Sequence, residues 1–466
     1  MSNTREIKAN GTAEKASVID VGQVIDDARL NKVSVSVIVL CGLIMIMDGY
    51  DYGIISVAAP AIMKEWDVST AAFGGVFSAA FVGYLFGAII CGTLSDMIGR
   101  KKTLILGACL FSAGTVLVFF SHSVASLIPM RVFAGIGIGG AVPCAITLTS
   151  EYSPSKGRGK YVSVMYSGFI IGIVLAGYVA GFMLETVGWR PLFLVGFFAP
   201  VLVIVALFFK LPESARWLSA RSKVGKQRET LIRIIKKMRP DIRIDGDTRF
   251  TSAGSNREQR SVKELFSGRL VWVTPVVWAY YLISSIAVFF FGSWSPQLLV
   301  VKGFTAATAA FITGSNNVLV AIGCFLSGFY FDKVGFRWGS ILYVIAGGFV
   351  IFMGDLAPVG FVIFLYASVF FLNTAHMDVT ILAPIVYPSS CRNRGAGTAI
   401  AIARIGAMIG PSIGGILLAT KLPMGSILAL VLVPLLMSAV LCYIAGRQYD
   451  FYFAPLYAGR IPFEKK

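Results

Sequence analysis

Two related stretches of sequence lie 236 residues apart: Gly92-Thr-Leu-Ser-Asp96-Met-Ile-Gly99-Arg100-Lys101-Lys102 and Gly328-Phe-Tyr-Phe-Asp332-Lys333-Val-Gly335-Phe-Arg337. Each stretch closes a long apolar segment and combines glycines with an aspartate and basic residues. Apolar segments of about 20 residues are long enough to cross a bilayer as helices. The repeat therefore predicts two similar groups of membrane helices, one after the other in the chain.

The repeat extends beyond these two loops. A Tyr-Pro pattern followed by arginine occurs after the fourth and tenth apolar segments, and a Gly-x-x-x-Gly pattern occurs within the fifth and eleventh. The residues are Tyr152, Pro154 and Arg158, Tyr387, Pro388 and Arg392, Gly168 and Gly172, and Gly406 and Gly410. Parallel six-helix repeats are typical of secondary transporters whose site lies between the halves near the bilayer midplane.

The composition excludes an ordinary soluble enzyme. The 466 residues are 56% hydrophobic and 14% charged, against roughly 25% charged in soluble domains, and the mean hydropathy is +0.77. We predict twelve spans that begin near Val33, Ala71, Thr103, Ser126, Tyr161, Pro191, Leu270, Phe304, Trp338, Pro358, Gly395 and Met424. We expect an all-α membrane protein in two six-helix pseudo-repeats: a tail (1–32), a bundle (33–210), a polar linker (211–269), a second bundle (270–447) and a second tail (448–466).

The net charge of +17 is a topology signal rather than a sign of nucleic-acid binding. When the 41 Lys and Arg are assigned to alternating sides of the predicted membrane, 35 fall on one side. This is the side on which both tails and the linker lie. Positive charge is enriched in cytoplasmic loops, so both termini and the linker are predicted in the cytoplasm. The N-terminus lacks the pattern of a signal peptide. Anionic lipid headgroups are better partners for these charges than nucleic acid.

The motifs resemble those of the major facilitator superfamily, from about Val33 to Arg447. Within it, Asp48-Gly49-Tyr50-Asp51 is similar to the D-G-[FY]-D signature of the aromatic acid:proton symporters, which carry benzoate, hydroxybenzoates and related acids. The segments from Arg131 to Tyr152 and from Tyr387 to Pro411 are similar to the same family. The resemblance implies the major facilitator fold and proton-coupled uptake of an aromatic carboxylate across a bacterial inner membrane by alternating access.

Three segments depart from that family's pattern. The segment from Leu211 to Leu218 also resembles sugar porters, and His376-Met-Asp378 is not part of the signature. The string from Gly410 to Gly415 resembles an antiporter motif, but drug exporters carry that motif in the fifth span, so export is disfavoured. A non-aromatic organic acid or a sugar acid is the alternative substrate.

Ionisable side chains inside spans cost several kcal/mol unless they are paired or hydrated, so they are the first candidates for function. With a rise of about 1.5 Å per residue, Asp48 and Asp51 of the first span lie at depths similar to that of Arg131 in the fourth. The sequence predicts an ion pair between Arg131 and either Asp51 or Asp48. Such a pair either takes part in transport or fixes the register of the two helices.

The second half has its own cluster of ionisable residues, because Arg404 in the eleventh span can contact Asp378 and His376 in the tenth. Arg404 is the preferred anchor for a substrate carboxylate, since a guanidinium presents two parallel donors and keeps its charge. Arg131 is the alternative anchor, and a structural pair between Asp378 and Arg404 would make that cation less available. The candidate proton carriers are Asp48, Asp51, Asp378 and His376.

Aromatic and amide side chains complete the predicted substrate site: Tyr166, Trp278, Asn316 and Asn317, with Tyr84, Phe169, Tyr281 and Trp294 as further cavity-lining residues. Rings can stack on a benzoate-like ring, and amides can bond a ring hydroxyl. Charged residues of the repeated loops form a predicted cytoplasmic gate: Asp96, Arg100, Glu151, Arg158, Glu213, Asp332, Arg337 and Arg392. We expect pairs among them to hold the inner ends together in the outward-open state.

Other classes of protein find little support in the sequence. The seven Cys have no disulfide or metal spacing, and only two His are present. The glycines at 135, 137 and 139 follow no strand, so they do not indicate a nucleotide site. We therefore expect no enzyme activity, cofactor or metal. The linker of about 59 residues is too short and polar for the signalling domain of a sensor. The sequence predicts a monomeric carrier whose partners are a small aromatic carboxylate, a proton and the bilayer.

Overall fold

The computed structural model describes residues 18–221, 225–242, 244, 248–251, 262–388, 391–420 and 422–453. Within them, twelve helices are long and apolar enough to cross a membrane, which confirms the predicted fold class. We number them spans 1 to 12: Lys32–Trp66, Thr70–Ile98, Arg100–Phe119, Val124–Tyr152, Arg158–Met183, Arg190–Lys210, Leu270–Val301, Ala306–Val334, Gly339–Met353, Pro358–Val386, Arg392–Ala419 and Met424–Tyr452. Each helix begins within three residues of its predicted start.

Polar side chains mark where several spans begin. At span 1, Asn31 Oδ1 accepts hydrogen bonds from the backbone N–H groups of Val33 and Ser34, each at 3.0 Å. At span 4, Ser123 and Ser126 cap each other's backbone reciprocally. The first N–H groups of a helix have no partner within the helix, so these side chains satisfy groups that would otherwise be unpaired. The caps separate neighbouring apolar segments into distinct helices.

Spans 1–6 and spans 7–12 form two bundles with equivalent packing. Span 5 packs along span 1, and span 11 packs along span 7. A side chain at Gly172 would clash with the Ile46 carbonyl of span 1, and one at Gly410 would clash with the Ile286 carbonyl of span 7. The two Gly-x-x-x-Gly patterns therefore bring equivalent helix pairs into close contact.

The bundles meet on the side of the molecule away from the linker, which we call the far side. There, Ser56 Oγ donates to the carbonyls of Gly292 and Ser293, both at 2.9 Å. The hydroxyls of Ser78 and Ser412 lie 2.7 Å apart between spans 2 and 11. Among the described residues, no hydrogen bond or ion pair joins the linker-side ends of the spans across the two bundles. The structure is therefore closed on the far side.

The N-terminal segment and the linker together form a cap on the first bundle. Strand Val18–Asp20 pairs in parallel with strand Arg249–Thr251. The short helix Val21–Asp26 packs against linker helices Ala215–Arg221 and Lys226–Met238. Two short 3-10 helices complete the described elements, Val262–Phe266 before span 7 and Phe336–Trp338 before span 9. The cap shares one apolar core with spans of the first bundle.

Candidate functional site

A cavity lies between the bundles, at mid-depth of the spans. Its lining comes from spans 1, 2, 4, 5, 7 and 11: Asp48, Asp51, Tyr52, Ile55, Phe77, Ala80, Phe81, Tyr84, Arg131, Gly135, Ile138, Phe169, Phe289 and Arg404. Ligand sites are commonly found between the helices of bundles. Both bundles contribute to the lining, so a bound molecule would contact both.

One face of span 1 is turned toward this cavity by helix packing. Gly49 and Gly53 lie against span 5, and a side chain at Gly49 would clash with the Phe169 carbonyl. Residues 48, 51, 52 and 55 lie on a neighbouring face and line the cavity. Their spacing is that of one face of an α-helix. The close approach at Gly49 therefore sets the direction in which both aspartates point.

Asp51 and Arg131 form a buried ion pair that joins span 1 to span 4. Arg131 Nη1 lies 2.7 Å from Asp51 Oδ2, and the two side chains are 2% and 1% exposed. Thr115 of span 3 donates to Asp51 Oδ1 at 3.0 Å. Of the two pairings that the sequence left open, the structure has Asp51 rather than Asp48. Removing one partner of such a pair would leave an uncompensated buried charge.

Asp48 and Arg404 face the same cavity without an ion-pair partner among the described residues. The Arg404 guanidinium carbon lies 4.3 Å from the centre of the Tyr84 ring, a cation–π arrangement. Both side chains are partly buried rather than sealed inside a bundle. The cavity thus contains one cation and one carboxylate that other protein charges do not neutralise by direct contact.

Four aromatic rings of the lining contact one another between the bundles. We call them the aromatic wall: Tyr52, Phe81, Phe169 and Phe289, from spans 1, 2, 5 and 7. The Tyr52 ring centre lies 6.2 Å from Phe81, 6.0 Å from Phe169 and 5.8 Å from Phe289. Phe81 and Phe289 meet edge to face at 5.1 Å. These separations are typical of favourable ring pairs.

The structure does not bring Asp378 to Arg404. Asp378 is fully buried within the second bundle, where its Oδ2 accepts from the Tyr280 hydroxyl at 3.1 Å and from Cys442 Sγ at 3.4 Å. His376 Nδ1 bonds to the Ser284 hydroxyl, and its ring lies 5.5 Å from that of Tyr281. Helical rise gives the depth of these residues but not the direction in which they point. Asp378 points into its own bundle, whereas Arg404 points between the bundles.

The other predicted substrate residues lie outside the described lining. Trp278 packs edge to face on Phe266 near the linker end of span 7, with ring centres 5.4 Å apart. Tyr166 lies beside Phe169 of the wall at 6.3 Å. Asn317 donates to the Thr313 carbonyl of its own helix at 2.8 Å, and Asn316 is buried. Tyr166 is thus next to the cavity, whereas the structure separates Trp278 from it.

The gate residues of the first bundle contact that bundle and the cap. Arg100 pairs with Asp96 at 2.8 Å. Arg158 pairs with Asp26 of the N-terminal segment. The linker adds two contacts, from Ser214 to Glu151 and from Glu213 to the backbone N–H of Lys101. Within the described part of the chain, none of these contacts reaches the second bundle.

In the second bundle, Arg337 lies 3.7 Å from Asp450 of span 12, and Arg392 donates to the Tyr387 carbonyl at 3.3 Å. The side chain of Asp332 lies outside the described part of the structure. The linker-side charges thus stay within their own bundle in a structure whose far side is closed.

Three wall residues were not among the predicted site residues: Tyr52, Phe81 and Phe289. A signal for Tyr52 was present, because it lies four residues after Asp48 and therefore on the same helix face. Phe81 and Phe289 had no comparable signal, since an aromatic residue in an apolar helix faces lipid, a neighbouring helix or a cavity with equal ease.

Comparison with known proteins identifies the family. Residues 41–404 match the model of the Major Facilitator Superfamily. The chain belongs to this superfamily. Among solved structures, an inward-facing bacterial homologue of the lysosomal transporter Spinster matches with a TM-score of 0.67, at 18% identity over 90% of this chain and 97% of the other. A D-xylose-proton symporter matches with a TM-score of 0.65 at 18% identity. These likenesses support the major facilitator fold.

Curated relatives of this major facilitator protein carry aromatic acids. The 4-hydroxybenzoate transporter PcaK of Acinetobacter baylyi is 29% identical over 93% of this chain and 95% of its own length. A benzoate transport protein of the same organism is 31% identical over 87% and 88%. A gallate transporter of Pseudomonas putida is 31% identical over 91% and 94%. The chain is therefore a membrane transporter and not an enzyme.

Proposed function

We propose that this transporter takes up an aromatic monocarboxylate together with a proton by alternating access. The observation that carries the proposal is the cavity itself, which is lined by Arg404, Asp48 and the aromatic wall, and neither charge has an ion-pair partner among the described residues. The relatives that transport 4-hydroxybenzoate, benzoate and gallate support an aromatic acid as substrate.

In this proposal Arg404 binds the substrate carboxylate. A guanidinium forms two parallel hydrogen bonds to a carboxylate and stays charged at any physiological pH. Arg131 is less suited to this role, because Asp51 already neutralises it at 2.7 Å. The pair of Arg131 and Asp51 instead joins span 1 to span 4 and holds the aspartate face of span 1 in place.

Asp48 carries the transported proton in this proposal. With Asp51 paired to Arg131, the empty cavity contains one uncompensated negative charge on Asp48 and one positive charge on Arg404, so its net charge is zero. A substrate anion adds one negative charge, and a proton on Asp48 offsets it. The loaded and empty forms are then equally neutral when the bundles rock, which avoids moving net charge through a low-dielectric region. Asp51, Asp378 and His376 are engaged by other protein groups.

The linker-side charges form the cytoplasmic gate of this mechanism. The distribution of Lys and Arg supports a cytoplasmic linker and cytoplasmic termini in a bacterial inner membrane. In this proposal the closed far side faces the cell exterior, and the cavity opens toward the cytoplasm. In this proposal a monomer carries out transport, because the cavity lies between the two bundles of one chain.

The test is uptake of labelled 4-hydroxybenzoate into proteoliposomes that are acidic outside. Wild-type protein should accumulate the acid, and Asp48→Asn should lose accumulation but keep exchange between labelled and unlabelled acid. Asp378→Asn is the matched control and should accumulate the acid as wild type does. If Asp378→Asn loses accumulation and Asp48→Asn keeps it, the proton carrier lies in the second bundle and the assignment is wrong.

A further inference from the structure

The lining of the cavity combines charged side chains with the aromatic wall. The charged residues of the lining are Asp48, Asp51, Arg131 and Arg404, and the Tyr84 ring lies against the Arg404 guanidinium. The wall contains three phenylalanine rings and one tyrosine ring. Of these four rings, Tyr52 carries the hydroxyl, whereas the other tyrosine of the described lining, Tyr84, packs against Arg404.

The position of the Tyr52 hydroxyl depends on a glycine of the other bundle. A side chain at Gly292 of span 7 would clash with the Tyr52 hydroxyl oxygen. Ser56, one helical turn further along span 1, bonds to the Gly292 carbonyl. The absence of a side chain at Gly292 makes room for the hydroxyl at the boundary between the bundles. Tyr52 thus contacts the cavity and span 7 at once.

We propose that the aromatic wall is the binding subsite for the substrate's ring, and that it selects benzoates whose ring carries at most one hydroxyl group. This inference rests on the proposed function, since it takes the carboxylate to be held by Arg404. Ring faces bind an aromatic substrate by offset or edge contacts. A single ring hydroxyl finds a partner in Tyr52, whereas further hydroxyls against the phenylalanines find none.

The expected selectivity follows from the cost of an unpaired polar group. Placing a hydroxyl in an apolar pocket weakens binding by roughly tenfold to a hundredfold. Benzoate and 4-hydroxybenzoate should therefore compete for the site at least about tenfold better than 3,4,5-trihydroxybenzoate, which has two hydroxyls in excess of the available partner.

The experiment measures how well these three unlabelled acids inhibit exchange of labelled benzoate in proteoliposomes. Tyr52→Phe removes the hydroxyl and keeps the ring. Inhibition by 4-hydroxybenzoate should therefore become weaker by about fivefold or more relative to inhibition by benzoate. Phe289→Leu removes a ring and should weaken inhibition by all three acids. Phe352→Leu is the matched control, because Phe352 is 67% exposed on the surface of span 9 and should leave inhibition unchanged.

Each outcome bears on a different claim. If wild type exchanges no aromatic acid, the proposed function fails, and the ring subsite fails with it. If wild type exchanges benzoate but 3,4,5-trihydroxybenzoate inhibits equally well, the proposed function stands and the selectivity of the wall is refuted. If Tyr52→Phe weakens inhibition by benzoate and inhibition by 4-hydroxybenzoate to the same extent, Tyr52 is not the partner of the ring hydroxyl.

Discussion

Adding one methyl group at Gly177 should open the far side of the protein. Gly177 of span 5 lies against Gly314 of span 8, and a Cβ at Gly177 would lie 2.5 Å from Gly314 Cα, 2.8 Å from Gly314 N and 2.9 Å from the Ala310 carbonyl oxygen. All three atoms belong to the backbone, so no side chain can rotate away. Ordinary contact begins at 3.4 Å, so Gly177→Ala requires the helices to separate by about 1 Å in a closely packed interface.

The effect of this change falls on one conformation. Spans 5 and 8 meet on the far side, so the clash is present when that side is closed and relieved when it opens. Overpacking of this kind costs about 1–3 kcal/mol, which corresponds to a shift of roughly 5- to 150-fold in the balance between two states. Gly177→Ala should therefore favour the form that is open on the far side, and slow uptake by disfavouring the form that is open on the linker side.

The assay is labelling of a reporter cysteine by an impermeant maleimide. Ser412→Cys places the reporter in span 11, where Ser412 contacts Ser78 of span 2, so it detects opening at a different pair of helices. Labelling should rise at least about fivefold in Gly177→Ala. Gly348→Ala is the control, because a side chain at Gly348 would meet nothing within 4 Å. Equal labelling in the two variants would refute the closing role of the contact between spans 5 and 8.

Three further predictions concern the charged residues. Arg404→Lys keeps the charge but loses the paired donors, so the apparent Kd for benzoate in a fluorescence titration should rise about tenfold or more; an unchanged Kd would exclude Arg404 as the anchor. Asp51→Asn leaves Arg131 buried and unpaired, and should lower the free energy of unfolding by about 3–5 kcal/mol, seen as a reduced Tm in detergent. Combining it with Arg131→Gln should recover part of that loss, and a further loss would contradict the pairing. Asp26→Asn breaks a partly exposed pair with Arg158, so the free energy of unfolding should fall by about 1 kcal/mol or less and Tm should change little, while limited proteolysis of the N-terminal segment should become faster.

Local properties of the sequence were sufficient to predict the helices. Their length and hydropathy are set residue by residue, and bilayer thickness fixes the number of residues needed to cross. The repeated motifs at Gly92 and Gly328 also predicted two equivalent bundles. The family assignment followed from the same motifs and is confirmed by the match over residues 41–404.

The sequence predicted the depth of the charged residues along their spans but not the direction in which their side chains point. Helical rise placed Asp48, Asp51 and Arg131 at one level, yet the choice between the two aspartates depends on how span 1 is rotated, and the contact at Gly49 sets that rotation. The same limit separates Asp378 from Arg404, since both have suitable depths but point into different spaces. Rotation about a helix axis is decided by tertiary packing, which a pattern along one chain does not encode.

The most direct measurement of the central claim is the proton flux that accompanies the substrate. A pH-sensitive dye inside proteoliposomes would report the internal pH when 4-hydroxybenzoate is added outside, with protein-free vesicles to subtract passive entry of the neutral acid. The proposed mechanism predicts internal acidification in step with protein-dependent uptake of the label, and loss of both in Arg404→Gln. Protein-dependent uptake without any change in internal pH would contradict it.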